Sequence, residues 1–114
     1  MSRDIQIIGG DEAVRNIARR VDRNRINDVV RKSTAQVQRK AMRDVPVDTG
    51  FLKRSITIEM DTAHMQGTVT AGAEYGAYVE FGTRYMGAQP FMRPARNEQE
   101  PIFLSDLQKL IRRG

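Results

Sequence analysis

Apolar residues first recur along this chain with a period of two. Between Arg3 and Ile8 the sequence alternates weakly and places Ile5, Ile7 and Ile8 before Gly9-Gly10, which predicts a short strand ended by a glycine turn. The period then lengthens to that of a helix. Asp11 suits an N-cap, and Glu12 falls in the first turn, where the helix dipole favours an acid. Val14, Ile17, Ala18 and Val21 follow at helical spacing. Ile26, Val29, Val30, Ser33, Val37 and Ala41 continue the stripe, offset around Asp22-Arg23-Asn24. The pattern predicts one long helix, or two with a kink near Asn24. It stops before Pro46, because the residue preceding proline avoids the helical region. Unbroken from Asp11 to Asp44, such a helix would run roughly 50 Å at about 1.5 Å per residue. A helix longer than its own domain has to pack partly on something else.

Val45 to Gly50 reads as a turn whose proline and glycine restrict the backbone. Phe51 to Ser55 fits either a turn of helix or the start of a strand. Ile56, Ile58 and Met60 then alternate with Thr57 and Glu59 as a half-buried strand. Asp61 to Gln66 forms a turn that exposes His64, and Thr68 to Gly72 returns as the antiparallel partner. Tyr75 to Phe81 predicts a short helix with Tyr75, Tyr78 and Val79 on one side and Gly82 as its C-cap. After a loop from Thr83 to Pro90, Phe91 to Ala95 leads into a terminal helix with Ile102, Phe103, Leu107, Leu110 and Ile111 on its apolar side. Pro101 should start or kink that helix. The expected fold is α+β: a long N-terminal helix, continuous or kinked, and a C-terminal helix packed on a small antiparallel sheet.

Composition sharpens the picture. At 114 residues the chain fits one domain over 1–114, and its core should be modest. With four Phe, three Tyr and no Trp, aliphatic side chains and Met must fill most of that core, so burial against further copies is a reasonable source of added stability. The absence of cysteine excludes disulfides and thiolate metal sites, and the single His64 cannot form a histidine cluster. No run of about 18 apolar residues and no apolar leader is present, so synthesis in a cytoplasm and a soluble protein are expected. The net charge of +5 is unevenly placed. Residues 1–54 carry 13 Lys/Arg against 7 Asp/Glu, residues 55–92 one against four, and residues 93–114 five against three. Basic ends around an acidic middle would let copies meet head to tail; solvated helix faces account for the same pattern.

Candidate chemistry is sparse. Asp48-Thr49-Gly50 matches the active-site tripeptide of aspartic proteases, in which two such loops share a proton between carboxylates. Those loops follow an apolar strand, whereas here a helical pattern and Pro46 come first, and Ile7-Ile8-Gly9 precedes the tripeptide when it should follow. A turn in which Asp48 caps backbone amides is the better reading. Phosphate-binding glycine motifs and catalytic triads are missing from the sequence, so no catalytic, cofactor or metal site is expected. Arg15, Arg19, Arg20, Arg23 and Arg25, with Arg31, Lys32, Arg39, Lys40 and Arg43, could form a stripe for phosphates. Asp22, Asp28 and Asp44 interrupt it and no aromatics interleave, so sequence-specific reading of nucleic acid is not expected. A basic, non-catalytic DNA-binding protein is the alternative that composition leaves.

Three blocks carry a resemblance. They are Val45-Pro46-Val47-Asp48-Thr49-Gly50-Phe51-Leu52-Lys53-Arg54-Ser55-Ile56, then Ala73-Glu74-Tyr75-Gly76-Ala77-Tyr78-Val79-Glu80-Phe81-Gly82-Thr83, then Gln89-Pro90-Phe91-Met92-Arg93-Pro94-Ala95. In this order and spacing the chain resembles the small head–tail joining, neck and minor tail proteins of long-tailed bacteriophages, the lambdoid "gene product ten" type. Gly76 stands where that pattern usually has alanine. The resemblance implies a non-catalytic virion part that assembles as a ring at the head–tail junction or the upper end of the tail. Its implied partners are the connector or head-completion proteins and tail proteins; the basic stripe adds non-specific contact with DNA in transit as an option, and no membrane partner is expected. Its implied motif and interface residues are Asp48, Thr49, Gly50, Glu80, Phe81, Gly82, Thr83, Arg84, Tyr85, Met86, Pro90, Phe91, Arg93 and Pro94. Within the loop, Arg84 to Ala88 would reorder on contact. Tyr85 and Met86 at its tip suit docking, although Tyr85 folded back onto its own domain fits the sequence equally well.

Overall fold

Alternation and helical periodicity resolve into two layers. The computed structural model describes residues 4–45, 50–73, 76–82, 84 and 87–113. In chain order the elements are β1 (Asp4–Gly9), α1 (Glu12–Ile17), α2 (Arg23–Asp44), α3 (Gly50–Arg54), β2 (Ile56–Asp61), β3 (Gln66–Ala71), α4 (Gly76–Phe81) and α5 (Met92–Arg113). The class is α+β, as the periodicities predict. The strands form an antiparallel sheet in the order β1-β3-β2, with Ile7 opposite Thr68 and Glu59 opposite Thr68 on the other side. Because side chains alternate across a strand, Ile8, Ile56, Val69 and Ala71 enter the core while Ile5 and Ile7 point to the open face. Helix α2 lies across β2 and β3, and α5 lies beside β1. Along the edge of β1, Arg96 Nε donates to the Ile7 carbonyl at 3.2 Å. Such a contact blunts an edge that would otherwise invite another strand.

The long N-terminal stripe is two helices, not one. Helix α1 is capped by Asp11, whose Oδ1 accepts from the Val14 amide at 3.1 Å. The chain leaves helical geometry after Ala18 and restarts at Asp22, whose Oδ1 accepts from the Asn24 amide at 2.9 Å. Buried Val21 before this cap and Ile26 four residues after it occupy the positions of a hydrophobic staple. That pair sets the entry angle and explains the offset of the stripe. Helix α2 then buries Ile26, Val30, Ser33, Thr34, Val37 and Ala41 and ends at Asp44, ahead of Pro46. Its approach to the sheet is close. A Cβ on Gly67, in the central strand, would overlap the Thr34 hydroxyl, which itself donates to the Val30 carbonyl at 2.7 Å.

Helix α5 narrows one expectation and corrects another. It begins at Met92 and continues through Pro101 to Arg113, so the proline does not start it. Pro101 and Asn97, the residue whose carbonyl loses its donor, both lie on the exposed side. The buried line is Met92, Ala95, Gln99, Phe103 and Leu107, while Ile102 and Ile111 are exposed. A glutamine thus occupies a core position. Its Nε2 donates to Ser33 Oγ at 3.1 Å and to Gln36 Oε1 at 2.5 Å, and its Oε1 accepts from Lys40 Nζ at 2.7 Å. Both amide protons and one acceptor site are used, so burial leaves no donor unmet. Pairs Lys40–Glu98 and Lys32–Asp106 show that α5 runs antiparallel to α2. The molecule extends 51 × 22 × 22 Å with a radius of gyration of 15.3 Å, against about 13 Å for a compact chain of this length.

Candidate functional site

The three sequence blocks meet at one end of the long axis. From the first block, Leu52 of α3 is fully buried. From the second, Gly76 opens α4, and a Cβ there would lie 3.2 Å from Leu52 Cδ1, 3.4 Å from Ala71 Cβ and 3.9 Å from Phe91 Cζ. From the third, Phe91 is the largest of the fully buried side chains. Segments separated by up to 39 residues therefore share one packing node (Leu52 to Phe91). An alanine at position 76 would need Leu52 to give way by a few tenths of an ångström.

Around this node Glu80 holds the return of the chain. Only 3% exposed, its Oε1 accepts from the amides of Phe91 at 2.9 Å and Met92 at 2.8 Å, and its Oε2 accepts from Arg93 at 3.0 Å. These are the donors that the start of a helix leaves without intrahelical partners. Pro94, next in the first turn, has no N–H to satisfy. Phe91, at the capping position, has no side-chain acceptor, so a carboxylate 11 residues earlier supplies the cap. Negative charge is also favoured there by the helix dipole. Gly82, at φ 77°, closes α4 in the left-handed conformation that glycine adopts freely, and its amide reaches the Tyr78 carbonyl at 2.8 Å. The Gln89 amide donates to the Val79 carbonyl at 2.8 Å, tying the far side of the loop to α4. Both ends of the loop are therefore anchored to the same helix.

The outer surface of this end is aromatic and basic. Phe51 is 63% exposed, Phe81 54% and Tyr78 46%, whereas Phe91 and Phe103 are buried. The guanidinium of exposed Arg93 lies 5.0 Å from the centroid of the Phe81 ring, a cation–π contact. Arg84, Gly87, Ala88, Gln89 and Pro90 are exposed, and Pro94 is half-buried. Of the residues singled out from sequence, Gly50, Glu80, Phe81, Gly82, Pro90, Phe91, Arg93 and Pro94 fall on this end. Asp48, Thr49, Thr83, Tyr85 and Met86, with Tyr75, lie outside the described residues. The predicted apolar side of α4 is corrected: Val79 is buried and Tyr78 faces outward. Sequence reasoning missed Phe51 as a surface residue, and the only signal for it was its place beside the buried Leu52.

The acidic middle of the chain is not one face. Glu80 is used internally on the α5 amides, and Glu74 lies outside the described residues. Asp61, at the far end of β2, accepts from His64, with Nδ1 and Oδ2 2.7 Å apart. That side-chain hydrogen bond holds the Asp61 carboxyl below the usual carboxylate range. Among the described residues no group of three or more His, Cys, Asp or Glu could hold a metal ion, and no helix is long and apolar enough to cross a membrane.

Comparison with known proteins gives one match. A family model described as "Bacteriophage HK97-gp10, putative tail-component" covers residues 11–82, which is more than half of the chain and takes in the first two blocks through Gly82. No curated protein and no solved structure matches.

Proposed function

This chain belongs to the HK97-gp10-like family of bacteriophage tail components, and from that premise we propose that it oligomerises at the head–tail junction or the upper end of the tail. The observation that carries the reading is the convergence of the three blocks on one end, where Phe51, Tyr78 and Phe81 stand exposed around a braced loop. Aromatics and arginine are enriched in the cores of protein interfaces. The Glu80 cap and the Gln89–Val79 bond hold Phe91 to Arg93 and Gln89 against α4, and a surface fixed in this way loses less of its binding energy to ordering. Residues 1–114 work as one domain in this reading, made in the host cytoplasm and carried in the virion. The partners are further copies of the chain, connector or head-completion proteins, and tail proteins. The role is structural without catalysis.

Two measurements test the reading. Sedimentation and negative-stain images of the purified protein should show closed oligomers, alone or on addition of particles lacking it. Gold-labelled protein should decorate the neck or the upper tail of purified particles. Label absent from intact particles would sink the virion role, and label confined to the tail tip would sink the placement. Asp48→Asn should leave assembly unchanged, and no peptide cleavage should be detected with either protein.

A further inference from the structure

The ten basic side chains from Arg15 to Arg43 are not equivalent once folded. From Arg31 to Arg43 four of the five are paired within the molecule, while exposed Arg39 has no ion-pair partner among the described residues. Arg31 pairs with Asp28 at 3.2 Å and Lys32 with Asp106 at 3.6 Å. Lys40 pairs with Glu98 at 3.9 Å, and Arg43 with Asp44 and Glu98, each at 3.0 Å. At the opposite end of the long axis the position is reversed. The side chains of Arg19, Arg20 and Arg25 are exposed and have no ion-pair or hydrogen-bond partner among the described residues. Arg15 and Arg23 donate to the carbonyls of Gly10 and Ala63, contacts that orient a guanidinium and leave its charge intact. The C-terminal end of α5 comes to the same place. Ile111 lines a surface groove with Ile17, Arg19 and Arg20, and exposed Arg112 follows it in the chain. Asp22 caps α2 and is the one acid between Arg15 and Arg25.

We propose that this arginine end binds the phosphate backbone of double-stranded DNA without reading its sequence. Every cation from Arg15 to Arg25 is arginine, whose planar fork matches phosphate oxygens and stays charged at any relevant pH. No aromatic side chain lies in that stretch, so bases are not stacked and strand contacts are electrostatic. An acidic surface of a second copy is the poorer partner. The chain's own acids at 28, 44, 98 and 106 are in internal ion pairs, Asp61 holds His64, and Glu80 is buried on amides. The site lies at the end of the molecule away from the aromatic face, so one surface can hold the assembly while the other meets the polymer. The inference stands on charge placement and does not need the virion role. DNA binding by a protein absent from particles would remove that role alone, and a particle component that ignores DNA would remove this inference alone.

The test uses the full chain and a fluorescently labelled random-sequence DNA duplex of about one 30-base-pair length, read by anisotropy at several salt concentrations. With about six phosphate contacts, affinity should fall roughly a thousandfold between 50 and 200 mM salt. Arg19→Ala, Arg20→Ala and Arg25→Ala together should flatten the logarithmic salt slope by up to about three. They should leave the thermal melt nearly unchanged, since the three exposed side chains form no ion pair or hydrogen bond among the described residues. Arg31→Ala, Lys32→Ala and Arg43→Ala together remove the same number of positive charges from the paired stretch and should change DNA binding little. Equal weakening by both triple variants would mean that net charge alone is responsible, and the proposal would fail. It would also fail if polyglutamate competed as well as an unlabelled duplex, since the surface would then take acidic protein.

Discussion

At the residue scale, Glu80 carries the most structural consequence for its size. Three backbone amides and the start of a 22-residue helix depend on one carboxylate. Glu80→Gln keeps the shape but turns one oxygen into a donor facing an amide N–H, and should cost about 1–3 kcal/mol. Glu80→Ala should cost more, because all three donors are left without the carboxylate. Urea midpoints of the two variants check this, and a midpoint unchanged in Glu80→Gln would refute the capping role. Asp61 makes a smaller, pH-dependent prediction. Its folded pKa is depressed, so its contribution to stability is present above the unfolded value, about 3.9. The contribution is lost as pH falls through the lower folded value. Carbon-detected NMR titration should find its midpoint below that of an ordinary aspartate, and His64→Ala should move it back up. Both groups are exposed, so the effect on global stability should be slight.

At the element scale, α2 and α5 form the frame, and a polar residue sets how they meet. Gln99 links Ser33, Gln36 and Lys40 across the interface, with no room to slide by a turn without breaking all three bonds. Gln99→Leu should destabilise by about 1–3 kcal/mol through the buried partners left behind. Adding Ser33→Ala should recover part of that loss, because an apolar pair replaces a broken polar one. A double-mutant cycle with no coupling would contradict the hydrogen-bonded contact. The break between α1 and α2 has an equally local cause. Val21 before Asp22 and Ile26 after it make a capped start that outweighs the helical propensity of the intervening residues. That signal was present in the sequence, but a stripe read only for its period places the interruption as a kink near Asn24.

At the scale of the whole molecule, the 51 Å axis separates two surfaces of different chemistry, one aromatic and basic and the other rich in arginine without aromatics. If the aromatic end makes the assembly contact, Phe81→Ser should abolish oligomers while leaving the monomer folded. The ring is more than half exposed, and its cation–π pair with Arg93 is worth about 0.5–1 kcal/mol. Sedimentation and a thermal melt on the same sample separate the two effects, and oligomers persisting in the variant would move the interface elsewhere. The open sheet face, with Ile5 and Ile7 beside Thr68 and Thr70, is a further apolar surface that the periodicity had assigned to a first strand without fixing its orientation.

Much of the framework was legible from sequence because it depends on neighbours in the chain. The period-two runs located all three strands, Asp11 and Gly82 marked helix ends, and Pro46 limited α2. The three motif blocks carried the family resemblance, and the family match spans the first two. Long-range pairing decided the rest. Gln99 is satisfied in the core only by partners on α2, and Glu80 becomes a helix cap only because the chain returns 11 residues later with free amides. Charge shows the difference most plainly. Residue counts determined how many cations this protein carries, while the antiparallel docking of α5 on α2 decided which are neutralised. An ion pair depends on a few ångströms of separation, and only the folded chain sets that distance.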